Sequence, residues 1–237
     1  AGREAGGSDS PLRSSESLAL AMRTQAILIA LAAAALAPSA VATYGMDAAT
    51  HVSADQFKCL KGDGIEFAII RAWHSYGGFD TNARTTVDNA WAGGMRDVDV
   101  YLFPCASKSA ADQVAGTVSG MSGVKFGQIW MDIETNPSSG CGWGSDLARN
   151  CEYIGELLKA AESHGIKPGV YASPYMWGKI AGSACTVGRD YPLWWADYNG
   201  VPGWPPFGAF GGWSKPAIHQ FADNGAACGV SYDKNYY

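Results

Sequence analysis

Short apolar runs alternate with amphipathic stretches through most of the chain after residue 42. The apolar runs are bounded by Gly, Pro or Asn and predict strands, which we place at 43–47, 67–72, 98–103, 128–135, 167–172, 193–196, 217–221 and 230–235. Helical spacing of apolar residues behind Ser, Thr or Asp predicts helices, which we place at 53–60, 81–91, 109–121 and 146–164. Beyond residue 172 the connections are rich in Gly, Pro and Trp and have no helical period.

Strands that alternate with helices predict parallel pairing through right-handed crossovers. Eight strands favour closure into a barrel, but a regular (β/α)₈ barrel uses about 250 residues and at least about 200. Residues 43–237 are too few for all eight helices. We therefore predict an α/β fold, an irregular TIM-like barrel of about (β/α)₅(β)₃ that forms a single domain over 43–237.

The first 42 residues carry the pattern of an export signal. Arg23 precedes an apolar run at 26–36, and the small-residue cleavage motif Ala-Val-Ala follows at 40–42. This run is too short to span a bilayer, which needs about 20 residues, and predicts a cleaved secretory signal peptide at 22–42. Residues 1–21 are expected to be a disordered upstream leader. We expect a secreted protein, in an extracellular, lysosomal or phagosomal space, without a membrane anchor after cleavage.

Charge and cysteine content narrow the possible functions. The chain has 17 Lys and Arg against 22 Asp and Glu, a net charge of −5, which argues against a nucleic-acid partner. Six cysteines in an exported chain predict three disulfides, with 15 possible pairings. The pair closest in sequence, Cys141 and Cys151, is the first expectation. No cofactor or metal-binding motif is found, and we expect no cofactor, no metal and a monomer.

Two carboxylates share one face of the strand at 128–135. Asp132 and Glu134 alternate with Ile133 and lie on the side of Trp130, about 7 Å apart between Cα atoms, from two strand rises. Burying two carboxylates at a strand end costs free energy, so their presence there indicates a function such as binding or catalysis. Helix capping or an ion pair with Arg or Lys is the alternative interpretation. Arg71 at the end of the second strand could pair with Asp47 or Asp132 and lower its pKa.

In a barrel of this type the site lies at the carboxyl ends of the strands, which also carry Asp47, Arg71, Phe103, Tyr171, Asp197, Gln220 and Asp233. Clustered acids among aromatic residues favour glycoside hydrolysis, in which one acid must stay protonated to donate to the leaving oxygen. Four tryptophans in loop-like contexts are candidates to line a sugar-binding groove: Trp73, Trp143, Trp177 and Trp204.

Several of these motifs resemble glycoside hydrolase family 25, the Chalaropsis-type lysozymes, in the secreted eukaryotic form. They occur in matching order across 43–237 as GMD at 45–47, DIE at 132–134, KPGVY at 167–171, LWWA at 193–196, HQF at 219–221 and YDKN at 232–235. The resemblance implies hydrolysis of the β-1,4 bond between N-acetylmuramic acid and N-acetylglucosamine in bacterial peptidoglycan.

The resemblance also implies roles for individual residues. Glu134 would be the general acid and base, and Asp132 would orient the substrate acetamido group in a retaining, substrate-assisted route. Asp47 and Asp233 would be supporting acids. The substrate-binding set would comprise Tyr101, Tyr171 and Gln220. Outside the resemblance, Trp73 in its loop-like context is a further groove candidate, and Asp197 is either a groove residue or, as we favour, a solvated surface residue.

Two alternatives remain open from the sequence. A chitinase-like hydrolase of N-acetylglucosamine polymers could also carry a strand-end DxE, but Gln128 and Trp130 stand where chitinases of family 18 carry further aspartates. A catalytically inactive, sugar-binding barrel is the other alternative. The presence of Asp47, Asp132, Glu134 and Asp233 argues against it.

Overall fold

A computed structural model describes residues 1–2 and 42–237. The expected leader and signal peptide fall almost entirely within 3–41 and so lie outside the described residues. Residues Ala42–Tyr237 form one compact unit. No helix in the described ranges combines the length and the hydrophobicity that a membrane span requires.

Eight strands close into a barrel, and one further short strand pairs with one of these eight outside the ring. In chain order they are β1 (Tyr44–Ala48), β2 (Ile65–His74), β3 (Gly78–Phe79), β4 (Asp97–Leu102), β5 (Gln128–Asp132), β6 (Lys167–Ala172), β7 (Leu193–Ala196), β8 (Ile218–Ala227) and β9 (Val230–Tyr236). Neighbours run in the order β1-β9-β8-β7-β6-β5-β4-β2, and β1 pairs with β2 to close the ring. Only β9 runs antiparallel within the barrel, and β3 pairs with β2 outside it.

Five helices follow the first strands of the barrel: α1 (Ala54–Gly62), α2 (Ala83–Ala92), α3 (Ala110–Gly120), α4 (Leu147–Ser163) and α5 (Pro174–Ile180). Four of these five helices begin behind a polar side chain that accepts a hydrogen bond from a free N–H group of the first turn, whereas Asn82 before α2 makes no such bond. Ser53 caps α1 in a reciprocal capping box with Gln56, and Ser109 and Asp146 cap α3 and α4.

Alternate residues of each strand belong to two different apolar layers. Ile129 and Met131 of β5 point outward into the large core between barrel and helices. Trp130 of the same strand points inward, where it packs with Trp194 and Tyr171 in a small core inside the barrel. At the end of the barrel where the parallel strands have their carboxyl ends, the inward-facing positions carry polar side chains. These side chains form the candidate site.

The predicted (β/α)₅(β)₃ barrel is confirmed, with differences at several ends. Strand β5 ends at Asp132 rather than at 135. The backbone N–H of Ile133 makes a last hydrogen bond to the Tyr171 carbonyl, and after it the chain leaves the sheet. Helix α5 and the short strand β3 were not placed by sequence periodicity, since each is too short to show a period. Strand β8 is longer than expected, because it continues with β9 into a hairpin.

Three disulfides are present, but the expected Cys141–Cys151 pair is wrong. The pairs are Cys59–Cys228, Cys105–Cys141 and Cys151–Cys185. Cys151 lies in the first turns of α4 and faces the segment after α5, whereas Cys141 faces the loop after β4. Proximity in sequence therefore gave the wrong partner, because neighbouring β/α units bring distant cysteines together.

Candidate active site

The carboxyl ends of the strands surround a small cavity of about 100 Å³. Nine residues from seven strands and the segments that follow them line it: Asp47, Tyr101, Asp132, Glu134, Tyr171, Trp194, Tyr198, Gln220 and Asp233. The sequence-predicted acids from the start, middle and end of the domain therefore meet in one place, together with Tyr101, Tyr171 and Gln220. Four larger cavities lie elsewhere on the surface of residues 42–237, and none of these four contains such a cluster of acids.

Asp132 is the last residue of β5 and the least exposed of the four acids in the cavity. Only 5% of its surface is accessible to solvent. Its Oδ1 atom is buried and has no hydrogen-bond partner among the described residues. An unpaired buried carboxyl oxygen is costly, so it marks a position where a further donor would be favoured.

The loop after β5 fixes the position of Glu134. The Trp143 indole donates to the Glu134 carbonyl over 2.8 Å. Two residues further on, the Asn136 amide donates to the carbonyls of Ser75 and Pro104, at 2.8 and 2.9 Å. Because one contact lies within this loop and two come from the segments after β2 and β4, the half-buried Glu134 lies on a segment that is held in place at several points.

Asp47 is held by side-chain amide donors from the two strands that follow β1 in the barrel order, β9 and β8. Its Oδ1 atom accepts hydrogen bonds from Gln220 Nε2 and Asn235 Nδ2, both at 2.7 Å. Gln220 in turn accepts from the Tyr171 hydroxyl at 2.6 Å, and Asn235 accepts from the Trp194 indole at 2.7 Å. This chain of hydrogen bonds orients each amide and leaves its N–H group for Asp47.

Burial and crowding raise the pKa of every acid in the cavity. Burial raises the pKa of Asp132 well above its usual range, and the charges of Glu134 and Asp47 raise it further. Burial, then Asp233, raises the pKa of Glu134. Burial and Asp233 raise that of Asp47 to about 7, while burial and Asp223 raise that of Asp233 to about 6. The cluster therefore retains protons at weakly acidic pH, where isolated carboxyls would be ionised.

Two of the predicted substrate-binding residues lie away from the cavity. The Trp73 ring is 8% exposed, packs on Gly116 of α3 and donates to Gln113 Oε1 at 3.1 Å. Trp73 is therefore a core residue, which corrects the expectation of a sugar contact. A bulge in β2 between Arg71 and Trp73 turns the indole outward. Asp197 follows β7 but does not line the cavity, and its Oδ2 atom accepts from Asn199 instead.

Other expected contacts also differ. Trp177 is almost fully buried against Trp213, and Trp204 packs edge-on against Tyr236, so neither faces the cavity. Arg71 was expected to pair with Asp47 or Asp132, but its Nε atom lies 2.9 Å from Asp80. The buried Asp80 also accepts from the backbone N–H of Asn82, and its ion pair engages Arg71 outside the group of acids that lines the cavity.

Three residues at the site were missed by sequence reasoning. Trp194 forms the cavity floor, Tyr198 lines it with its hydroxyl 3.2 Å from that of Tyr171, and Asn235 orients Asp47. The alternation along 193–196 and 232–235 could have identified Trp194 and Asn235 as inward-facing. Tyr198 follows the strand in a loop, where no periodicity predicts its direction.

Comparison with known proteins identifies the family. The family model described as Lys-1, lysozyme-like protein 1, matches residues 38–221. Lysozyme-like protein 5 of Caenorhabditis elegans is 38% identical over 198 residues, covering 81% of this chain and 90% of that protein. Probable GH family 25 lysozyme 4 of Dictyostelium discoideum is 38% identical over 196 residues, covering 81% and 89%.

The fold agrees with this relationship. A family GH25 lysozyme from Aspergillus fumigatus superimposes with a TM-score of 0.65 and 22% identity, over 83% of this chain and 94% of that one. The two sequence relatives, the family model and the acidic cavity in a barrel of the same architecture lead to one conclusion. The chain is a glycoside hydrolase and belongs to the lysozyme-like proteins of family 25.

Proposed function

We propose that this protein is a secreted N-acetylmuramidase that hydrolyses the β-1,4 bond between N-acetylmuramic acid and N-acetylglucosamine in peptidoglycan. The observation that carries the proposal is the buried, unpaired Oδ1 atom of Asp132 beside Glu134. A retaining, substrate-assisted reaction requires such a pair. One carboxyl accepts a hydrogen bond from the substrate acetamido N–H, and the other transfers the proton.

In the first step, Glu134 donates its proton to the glycosidic oxygen as the bond from C1 to that oxygen breaks. The acetamido carbonyl oxygen of the same sugar attacks C1 and forms a cyclic oxazolinium ion. Asp132 accepts the acetamido N–H hydrogen bond, and so directs the carbonyl oxygen towards C1. Its negative charge, when ionised, stabilises the positive ring.

In the second step, Glu134 acts as a base. It takes a proton from water while the water oxygen attacks C1, and the bond from C1 to the acetamido oxygen breaks. Two inversions at C1 leave the anomeric configuration retained. The raised pKa of Glu134 supports this double role, because the carboxyl must carry a proton at the start of the cycle.

The remaining cavity residues support substrate binding. After burial, the charge of Asp233 is what keeps a proton on Glu134, and Asp233 lies 3.4 Å from Gln220 Nε2, the group that also donates to Asp47. Tyr101, Tyr171 and Tyr198 provide ring surface and hydroxyl groups for sugar. Three disulfides support a site of action in an oxidising, extracellular or lysosomal space.

Digestion of purified peptidoglycan with the mature domain tests the proposal. The new reducing ends should be N-acetylmuramic acid, and Glu134→Gln should lower the rate by at least about 100-fold, the usual scale for general acid catalysis. Circular dichroism and melting temperature should stay close to wild type. N-acetylglucosamine at the reducing end would contradict the bond assignment, activity on chitin alone would indicate a chitinase, and binding without cleavage would indicate an inactive barrel.

A further inference from the structure

A lysine stands beside the loop that carries Glu134. Lys179 lies on α5, and its Nζ atom is 3.4 Å from Oγ1 of Thr135, the residue directly after Glu134. The same Nζ atom is 5.7 Å from the ring centre of Tyr175, whose side chain is 68% exposed. Lys179 takes part in none of the ion pairs found among the described residues.

A free cation at this place has a chemical consequence for the substrate. Four carboxyl groups crowd the neighbouring cavity, so a carboxylate-bearing glycan approaching it meets repulsion. Chitin has no carboxylate. Peptidoglycan has one on the lactyl group of N-acetylmuramic acid when the peptide stem is absent, and others on the stem when it is present.

We propose that Lys179, with Tyr175, forms a subsite for the carboxylate attached to N-acetylmuramic acid, and that this subsite favours peptidoglycan over neutral chitin. The inference rests on the proposed function. The exposed ring of Tyr175 offers a face for a sugar or a peptide side chain, and the ammonium group lies beside it. Lys179 contacts the segment after Glu134 rather than the reacting atoms, so it acts on binding and specificity.

Binding to a catalytically blocked enzyme tests the subsite without turnover. In the Glu134→Gln background, Lys179→Gln should weaken binding of soluble peptidoglycan fragments about two- to fivefold at low salt, the scale of an exposed ion pair. Lys179→Arg should restore it, and 0.5 M NaCl should reduce the difference. Binding of chitin tetramer should not change. Loss limited to stem-bearing fragments assigns the carboxylate to the peptide, and loss with peptide-free fragments assigns it to the lactyl group.

Catalysis gives the second readout. In the otherwise native enzyme, Lys179→Gln should raise KM for peptidoglycan with little change in kcat, whereas Lys159→Gln, an exposed lysine on α4, should change neither. Equal weakening on chitin and peptidoglycan fragments, or no weakening on either, would overturn the subsite. If the wild-type enzyme failed to cleave peptidoglycan, the proposed function would fall, but the binding measurements would still decide the role of Lys179.

Discussion

At the scale of single residues, the protonation of each carboxyl group in the cavity depends on which other acids lie next to it. The charge of Asp233 is, after burial, the cause that raises the pKa of Glu134. Removing that charge favours ionised Glu134 and lowers its pKa. If the pKa of Glu134 is lower, this residue loses its proton, and with it its action as a general acid, at a lower pH. A change at Asp233 should therefore be visible in the pH profile of kcat/KM.

For Asp233→Asn we therefore expect the alkaline limb of the kcat/KM profile to move to lower pH, because the pKa of Glu134 falls when the neighbouring charge is removed. The wild-type optimum should lie below neutral pH. The profile is measured with soluble peptidoglycan fragments from pH 3 to 9. Asp190→Asn, an exposed and remote change, serves as the control. A limb that stays in place, or moves to higher pH, would show that Asp233 does not act on Glu134.

Asn235 contributes to stability through the same cluster. It is fully buried, donates to Asp47 and accepts from the Trp194 indole. In Asn235→Leu the buried Trp194 indole loses its acceptor, while Asp47 loses one of two amide donors and keeps the other, Gln220. Urea unfolding should show a loss of about 1–3 kcal/mol, the cost of one buried group left unpaired, against little change for the exposed Asn199→Ala. Near wild-type stability would mean that water satisfies these groups.

At the scale of elements, the site depends on contacts between neighbouring β/α loops. The Cys105–Cys141 disulfide joins the loop after β4 to the loop that carries Glu134. The Cys59–Cys228 disulfide joins α1 to the turn between β8 and β9 and does not touch that loop. The two bridges therefore separate an effect on stability from an effect on catalysis.

Replacing both cysteines of either pair by Ser should lower the free energy of unfolding by about 2–4 kcal/mol. Only the Cys105/Cys141 double variant should also lower kcat, since it frees the segment that positions Glu134. Both variants are assayed at a temperature where circular dichroism shows them folded. An equal kcat in the two variants would contradict a role of the disulfide in holding the loop.

At the scale of the whole molecule, buried acids set the pH dependence of stability. The folded-state pKa values of Asp47, Asp99 and Asp233 are about 7, 6 and 6, raised first by burial from an ordinary 3.8. Between about pH 4 and pH 7 the folded chain therefore binds more protons than the unfolded chain, and the free energy of unfolding falls as pH rises. His74, whose pKa is lowered from its ordinary 6.5 first by burial, acts in the opposite direction, because the folded chain then binds fewer protons at this site than the unfolded chain.

We expect the melting temperature to fall from pH 5 to pH 8. Asp47→Asn should make that slope shallower, because its amide oxygen can still accept from Gln220 and Asn235 while the charge is gone. Differential scanning calorimetry in matched buffers measures both slopes. A melting temperature that rises over this interval, or an Asp47→Asn slope equal to that of wild type, would contradict the assignment.

The sequence alone determined the architecture and one half of the site. Periodicity along consecutive residues placed Asp132 and Glu134 on the side of Trp130, and the order of strands and helices gave the five β/α units and three final strands. These are local properties, because the direction of a side chain on a strand follows from its neighbours in the chain.

Only the tertiary structure decided which distant groups meet. It paired Cys141 with Cys105, turned Trp73 into the outer core, drew Arg71 to Asp80, and brought Asn235 and Tyr198 to the cavity. Such contacts depend on barrel closure, on the register between strands and on a bulge in β2. None of these is encoded by the periodicity of a single segment, since each is fixed by packing between segments far apart in the chain.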